Sequence, residues 1–185
     1  MSEDIRKMID KVRNFKQPIK EEILNEIRKS FMNYWKEKLP NTPEYVVNDW
    51  FYKNNKNETQ ENIDELINKY KDVEWTLKKN FPMSLNILSD ETIKRLKERW
   101  GGEKKKDLDG DEERHQIQSG LVKIDGNKVI TPTEPIIILD LNGKYELVEG
   151  WHRTIQIFNL LPKGFEYPNV WIGKSTNGTD ISIYI

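Results

Sequence analysis

The chain of 185 residues contains no cysteine. That removes disulfides, thiolate zinc sites, iron–sulfur clusters and cysteine nucleophiles together. It contains two histidines, too few for a multi-histidine metal centre, so any metal would be a hard cation held on carboxylates. No apolar run approaches the roughly 20 residues of a membrane-spanning helix. The opening MSEDIRKMIDKVRNF has no continuous apolar segment of the kind a secretion signal needs. A cytoplasmic protein without a membrane partner is expected. Nor does either charge dominate: 30 basic and 31 acidic residues leave a formal net charge of −1. A nucleic-acid-binding domain is normally basic, so DNA is a partner that the charge balance does not support. Solvated faces of mixed sign are the plainer reading.

What is present is aromatic and highly polar. Six Trp, seven Tyr and six Phe can build a core of moderate size even at 36% hydrophobic and 33% charged content. The length allows one ordinary domain, or one domain with a sizeable appendage. Abundant Lys, Asn, Ile and Glu point to an AT-rich genome such as that of a phage, which concerns codons and not mechanism.

The first part of the chain has helical periodicity. Ile5, Met8, Ile9, Val12 and Phe15 share one face. Pro18 then stands near the start of a second helix, IKEEILNEIRKSFMNYWKEKL, where proline is tolerated. Ile23, Leu24, Ile27, Phe31 and Tyr34 or Trp35 form its stripe, and the two prolines of LPNTPEY end it. A third helix is expected from about Thr59, a capping residue, to Tyr70, with Ile63, Leu66, Ile67 and Tyr70 inward. Trp35, Trp50, Phe51, Tyr52 and Trp75 have two readings: a base-stacking platform, or inter-helix packing, the plainer one. SDETIKRLKERW is a further helix, with Ser89 and Asp90 at its start and Gly101–Gly102 at its end.

Residues 101–116, GGEKKKDLDGDEERHQ, form a dense charge run without apolar period and read as a loop. Asp107, Asp109 and Asp111 alternate as in a calcium loop. The glycine is misplaced, however, and Gln118 stands where a bidentate Glu belongs. Beyond Gln116 the period changes to two. GLVKIDGNKVITP reads as a hairpin turning at Asp125–Gly126. PIIILDLNGKYELVEG reads as a clearer one, with strands Ile136–Leu141 and Tyr145–Val148 around an Asn142–Gly143 turn. YPNVWIG and DISIYI are two more expected strands. The expected fold class is therefore α+β: a helical N-terminal region over residues 1–83, then a small mixed sheet with packed helices over 84–185.

One stretch concentrates functional side chains: Glu149-Gly150-Trp151-His152-Arg153-Thr154, where a strand meets a helix. A strand entering a helix through glycine brings backbone N–H groups and the positive end of the helix dipole to one point. That geometry suits anions, phosphate above all, and Gly150 lets a ligand approach the backbone. Arg153 offers a bidentate charge to phosphate. His152 can donate a hydrogen bond or move a proton near neutral pH. Glu149 can hold a magnesium ion or accept a proton from a hydroxyl. The competing reading is a polar turn in which His152 merely caps or packs.

Pro135–Leu161 resembles the core of the ParB/sulfiredoxin superfamily. The pattern is an apolar strand after Pro-Ile, a hairpin, a strand of the type Tyr-x-Leu-Val-acid-Gly, and a Gly-x-His/Arg-Arg turn opening a helix. Here it reads Pro135-Ile136, then Tyr145-Glu146-Leu147-Val148-Glu149-Gly150, then Gly150-Trp151-His152-Arg153. Nothing in residues 1–80 shares it. The resemblance implies ATP, ADP or CTP, with magnesium, bound at Gly150, Trp151, His152, Arg153 and Thr154. It implies catalytic roles for Glu149 and His152, with Glu149 as the metal ligand. Glu134 is a second carboxylate that could face the same pocket. Sulfiredoxin chemistry needs a cysteine where Trp151 stands, so that activity is excluded. Partition ParB proteins carry a helix-turn-helix after this domain, whereas few residues follow Leu161 and the charge is neutral, so that role is not expected. Free-serine-type kinases of the superfamily place an acid before the glycine, as Glu149 stands. Three readings follow. One is a magnesium-dependent phosphotransferase or nucleotide hydrolase acting on an unidentified small-molecule or macromolecular acceptor. The second is a nucleotide-gated DNA- or protein-binding module without turnover. The third is a non-catalytic, phage-type interaction protein on the same fold.

Overall fold

A computed structural model describes residues 17–53, 60–100, 123–131 and 134–183. The helix face from Ile5 to Phe15, the Thr59 cap, the Gly101–Gly102 stop and the 101–116 loop lie outside the described residues. The chain divides into two compact units, Met1–Glu74 and Trp75–Ile185.

The first unit is helical. α1 (Gln17–Lys38) has Pro18 in its first turn, where a missing N–H costs nothing. Ile27, Phe31 and Trp35, spaced four apart, are its buried stripe. Leu24 lies off that stripe and is exposed, and Trp35 rather than Tyr34 points inward. Tyr34 is half-buried and donates its hydroxyl to Asp64. After Leu39 and Pro40 come a short α2 (Glu44–Val46) and one π-helical turn, Val47–Tyr52. The wider π turn places the consecutive residues Trp50 and Phe51 in the core together. Phe51 stacks on Trp35 at 4.7 Å and on Trp50 at 4.4 Å. Tyr70, at the end of α3 (Gln60–Tyr70), meets Trp50 edge-on at 4.8 Å. On α3 Ile63 is also buried, with Leu66 and Ile67 half-buried. These rings cover one another's faces, so Trp35, Trp50 and Phe51 are packing residues and not a base-stacking platform.

The second unit is mixed helix and sheet, and its first strand changes the expected layout. β1 (Val73–Met83) occupies the end of the segment expected to be helical up to residue 83. The division between units falls at Glu74/Trp75. Val73-Glu74-Trp75-Thr76-Leu77 alternates apolar and polar residues, the period of a strand and not of a helix. A 3-10 turn (Leu85–Ile87) leads to α4 (Asp90–Trp100). Ser89 caps α4: its Oγ accepts the Thr92 N–H at 3.2 Å, with Asp90 and Glu91 in the first turn.

The remaining strands are β2 (Lys123–Asp125), β3 (Lys128–Thr131), β4 (Ile136–Asp140), β5 (Tyr145–Glu149) and β6 (Phe165–Ser175). A ten-residue α5 (Trp151–Leu160) links β5 to β6. The sheet order is β2-β3-β6-β4-β5, and β1 also pairs with β6. β6 runs parallel to both β3 and β4, while the two hairpins are antiparallel. In the first hairpin Asp125 pairs with Lys128, so the turn is Gly126–Asn127, one residue later than expected. The second turns at Asn142 (φ 58°) and Gly143 (φ 95°), the left-handed pair that Asn-Gly supplies. Asp140 Oδ1 braces it by accepting the Gly143 N–H at 2.8 Å. Ile136 to Leu139 are all fully buried, as in a strand covered on both faces. Ile138, Leu147, Ile155, Phe158, Phe165 and Tyr167 centre the core. Within it Phe158 meets Phe165 edge-on at 4.9 Å.

Asp180–Ile183, expected as a strand, is not one. Asp180 Oδ1 accepts the Ser182 N–H at 2.9 Å, an Asx turn that takes the chain out of extended geometry. The Ile183 N–H is then taken by the buried carboxylate of Glu146. No helix among the described residues is long and apolar enough to cross a membrane.

Candidate functional site: the corner between β5 and α5

Pairing of β4 with β5 slips by one residue where the corner begins. Ile137 faces Glu149 and Ile138 faces Leu147, which leaves Val148 as an extra residue. Such a bulge twists a strand end and re-aims the side chains beyond it. Glu149 follows, half-buried. Gly150 then adopts φ 95°, ψ 20° as the cap of α5, a left-handed conformation that side-chain-bearing residues rarely take. The helix ladder starts there, with the Thr154 N–H donating to the Gly150 carbonyl at 2.9 Å.

The six expected residues divide by what holds them. Trp151 is half-buried against the core, and its indole N–H donates to the Val148 carbonyl at 3.1 Å. It satisfies the bulge. His152 is half-buried on the first turn. Arg153 is buried at 7% exposure. Its Nη1 donates to Glu134 Oε2 at 2.5 Å and its Nη2 to the Pro135 carbonyl at 3.1 Å. Thr154 is fully buried, and its hydroxyl has no hydrogen-bond partner.

The approach over Gly150 differs from the expected one. A Cβ at Gly150 would lie 2.5 Å from Ile136 Cγ2 and 3.3 Å from Arg153 Nη2. The space freed by the missing side chain is filled by the protein itself. The glycine is needed for its backbone and for close packing on β4, and an anion would meet the corner from the side of Arg153 and Glu134.

Glu134, the more remote carboxylate, is the direct partner of Arg153 across 19 positions of sequence. Tyr167 of β6, which has no motif around it, fixes the same entry to β4 by donating its hydroxyl to the Glu134 carbonyl at 3.0 Å. Only the pairing of β4 with β6 brings Tyr167 there. Among the described residues no three His, Asp or Glu side chains gather as a metal site, so Glu149 has no such cluster around it. Two hollows lie away from the corner. One, of about 600 Å³, is beside Arg28, Tyr45 and Asn48 in the first unit. The other, of about 140 Å³, is between Asp140, Lys174 and Asp180 at the far end of β4.

The corner thus offers one buried cation, the positive end of a ten-residue helix, a buried hydroxyl, a half-buried imidazole and two carboxylates. The chain matches no family model, no curated protein and no solved structure.

Proposed function

We propose that the chain is a nucleotide-binding protein of ParB/sulfiredoxin-like fold, and that nucleotide phosphate sits at the corner between β5 and α5. One observation carries this reading. The left-handed Gly150 opens α5 beside the buried guanidinium of Arg153, with Arg153 Nη2 3.3 Å from the position of a Gly150 Cβ. The dipole of α5 and the guanidinium of its first turn both favour an anion at this end of the helix, on the side of Arg153 and Glu134. His152 on the same turn is a further donor to phosphate oxygen. ATP, ADP and CTP share the phosphate chemistry that these groups address.

A second reading, phosphoryl transfer, is favoured by the position of Glu149. It is half-buried, immediately before Gly150, on the far side of the bulge from the hydrophobic core residue Leu147. Phosphoryl transfer is mostly positioning and charge stabilisation, and Glu149 would accept the proton of an acceptor hydroxyl. Magnesium is commonly held by one or two carboxylates together with substrate phosphates, a set to which Glu149 contributes one ligand.

The test is a thermal-shift and calorimetric screen of ATP, ADP and CTP with and without Mg²⁺. A bound ligand must raise the unfolding temperature. Arg153→Lys, which keeps charge but loses the planar fork, should weaken binding while the protein stays folded. Absence of any shift with all three nucleotides would leave an interaction protein on this fold as the surviving account. With binding established, Glu149→Gln separates the two readings. Turnover lost with binding retained assigns chemistry to Glu149; no turnover in either protein assigns a binding module. A gel-shift at two salt concentrations tests DNA, since phosphate-driven association must weaken steeply with salt.

A further inference from the structure

The ion pair at this corner is lopsided. The Arg153 side chain is 9% exposed, and that of its partner Glu134 is 70% exposed. Nη2 is turned inward onto the Pro135 carbonyl, while Nη1 is turned outward onto a carboxylate standing in solvent. One end of the guanidinium is therefore held by a side chain that lies mostly in water.

We infer that Glu134 is a built-in anion occupying the phosphate seat of Arg153, so that ligand binding and release of Glu134 are a single exchange. This rests on the phosphate-binding reading above and adds its regulation. Carboxylate and phosphate oxygens are both charged acceptors for a guanidinium N–H, so the Nη1 seat that takes one takes the other. An ion pair with so exposed a carboxylate contributes little, and its surrender is cheap. The incoming phosphate gains what Glu134 does not reach. A phosphate brings more charge and more acceptor oxygens than a carboxylate to the N-terminal end of α5. The exchange needs no unfolding of β4. The Glu134 carbonyl stays on the Tyr167 hydroxyl and the Pro135 carbonyl on Arg153 Nη2, so the Glu134 side chain alone swings out.

The experiment compares the wild-type chain with Glu134→Gln and Glu134→Ala. Each is titrated by calorimetry with inorganic phosphate, pyrophosphate and Mg-ATP at ionic strength matched with chloride. Unfolding temperatures are recorded alongside. Glu166→Gln, which breaks the surface pair of Glu166 with Lys128 on the same sheet, is the control and should leave anion affinity unchanged. Both Glu134 variants should bind phosphate-bearing ligands at least about fivefold more tightly than wild type, the lower end of ordinary coupling strengths. Their unfolding temperature in chloride should stay close to that of wild type, because a pair with so exposed a carboxylate contributes little, and phosphate should raise it further than it raises that of wild type. Binding by the variants alone supports the exchange as well. Wild-type binding that neither variant exceeds overturns the exchange and leaves the site reading standing. No binding by any of the three proteins overturns both. The three probes separate a seat for free phosphate from one that needs the whole nucleotide.

Discussion

Gly150 is packed against Ile136 so closely that a methyl group on Gly150 would lie 2.5 Å from Ile136 Cγ2. A left-handed backbone and a filled neighbour act on the same residue, and the two costs add. Gly150→Ala is expected to lower unfolding free energy by about 2–4 kcal/mol, from backbone strain plus overpacking. Urea denaturation measures it. A loss below about 1 kcal/mol would mean that the corner adjusts without strain.

Thr92 is buried in the first turn of α4 and joins it to β5. Its Oγ1 accepts from Ser89 Oγ at 3.0 Å and from the Leu147 N–H at 3.1 Å. Thr92→Val keeps the shape and strands a buried N–H, at a cost of about 1–3 kcal/mol. Ser89→Ala should cost about 1 kcal/mol through the lost cap. The Leu147 amide should also exchange faster with deuterium in the Thr92 variant. Unchanged protection there would show that another group takes over the acceptor role.

Phe51 lies between two indoles, at 4.7 Å from Trp35 and 4.4 Å from Trp50. Phe51→Ala should destabilise the first unit by about 3–5 kcal/mol. Tryptophan fluorescence should shift to the red as both indoles meet water. A protein that keeps its emission maximum and its unfolding midpoint contradicts the aromatic core described here.

Tyr145 titrates above the ordinary phenol value of 10.0, because burial penalises the phenolate and Asp140 repels it, with Lys174 opposing. A raised acid pKa favours the neutral folded form. The stabilisation is fully present below pH 10 and is lost as pH rises through the folded value. Above about pH 10 the wild type should therefore lose stability more steeply than Tyr145→Phe. Parallel curves for the two proteins would place the Tyr145 hydroxyl in ordinary solvent.

Local signals were legible where local chemistry decides. Asn142–Gly143 names its own turn, since both residues must take positive φ, and the helix beginning after Ser89 declares its cap. Gly150 marks the corner for the same reason. Other features depend on residues distant in sequence. Arg153 suggests phosphate by its neighbours, yet its position is set by Glu134 and Pro135, which arrive through strand pairing. Val148 becomes a bulge only because Ile137 and Ile138 fix the register across from it. The π turn that sends both Trp50 and Phe51 inward leaves no mark of its own, because helical period alone separates consecutive residues. Val73–Leu77 did alternate as a strand does, but Lys78, Lys79 and Pro82 interrupt the pattern before it is long enough to stand out. DISIYI alternates too, and the Asp180 side chain overrides it.

β6 pairs with β1, β3 and β4, and it is the last strand of the sheet to be synthesised. Until residue 175 has left the ribosome, Ile136 to Leu139 have the β5 hairpin on one edge and no neighbour on the other. The nascent chain therefore carries an apolar, half-paired strand for the time needed to translate α5 and β6, a few seconds at roughly 5–20 residues per second. Truncation before Phe165 would make that exposure permanent, so a shortened chain should be recovered as aggregate or bound to chaperone.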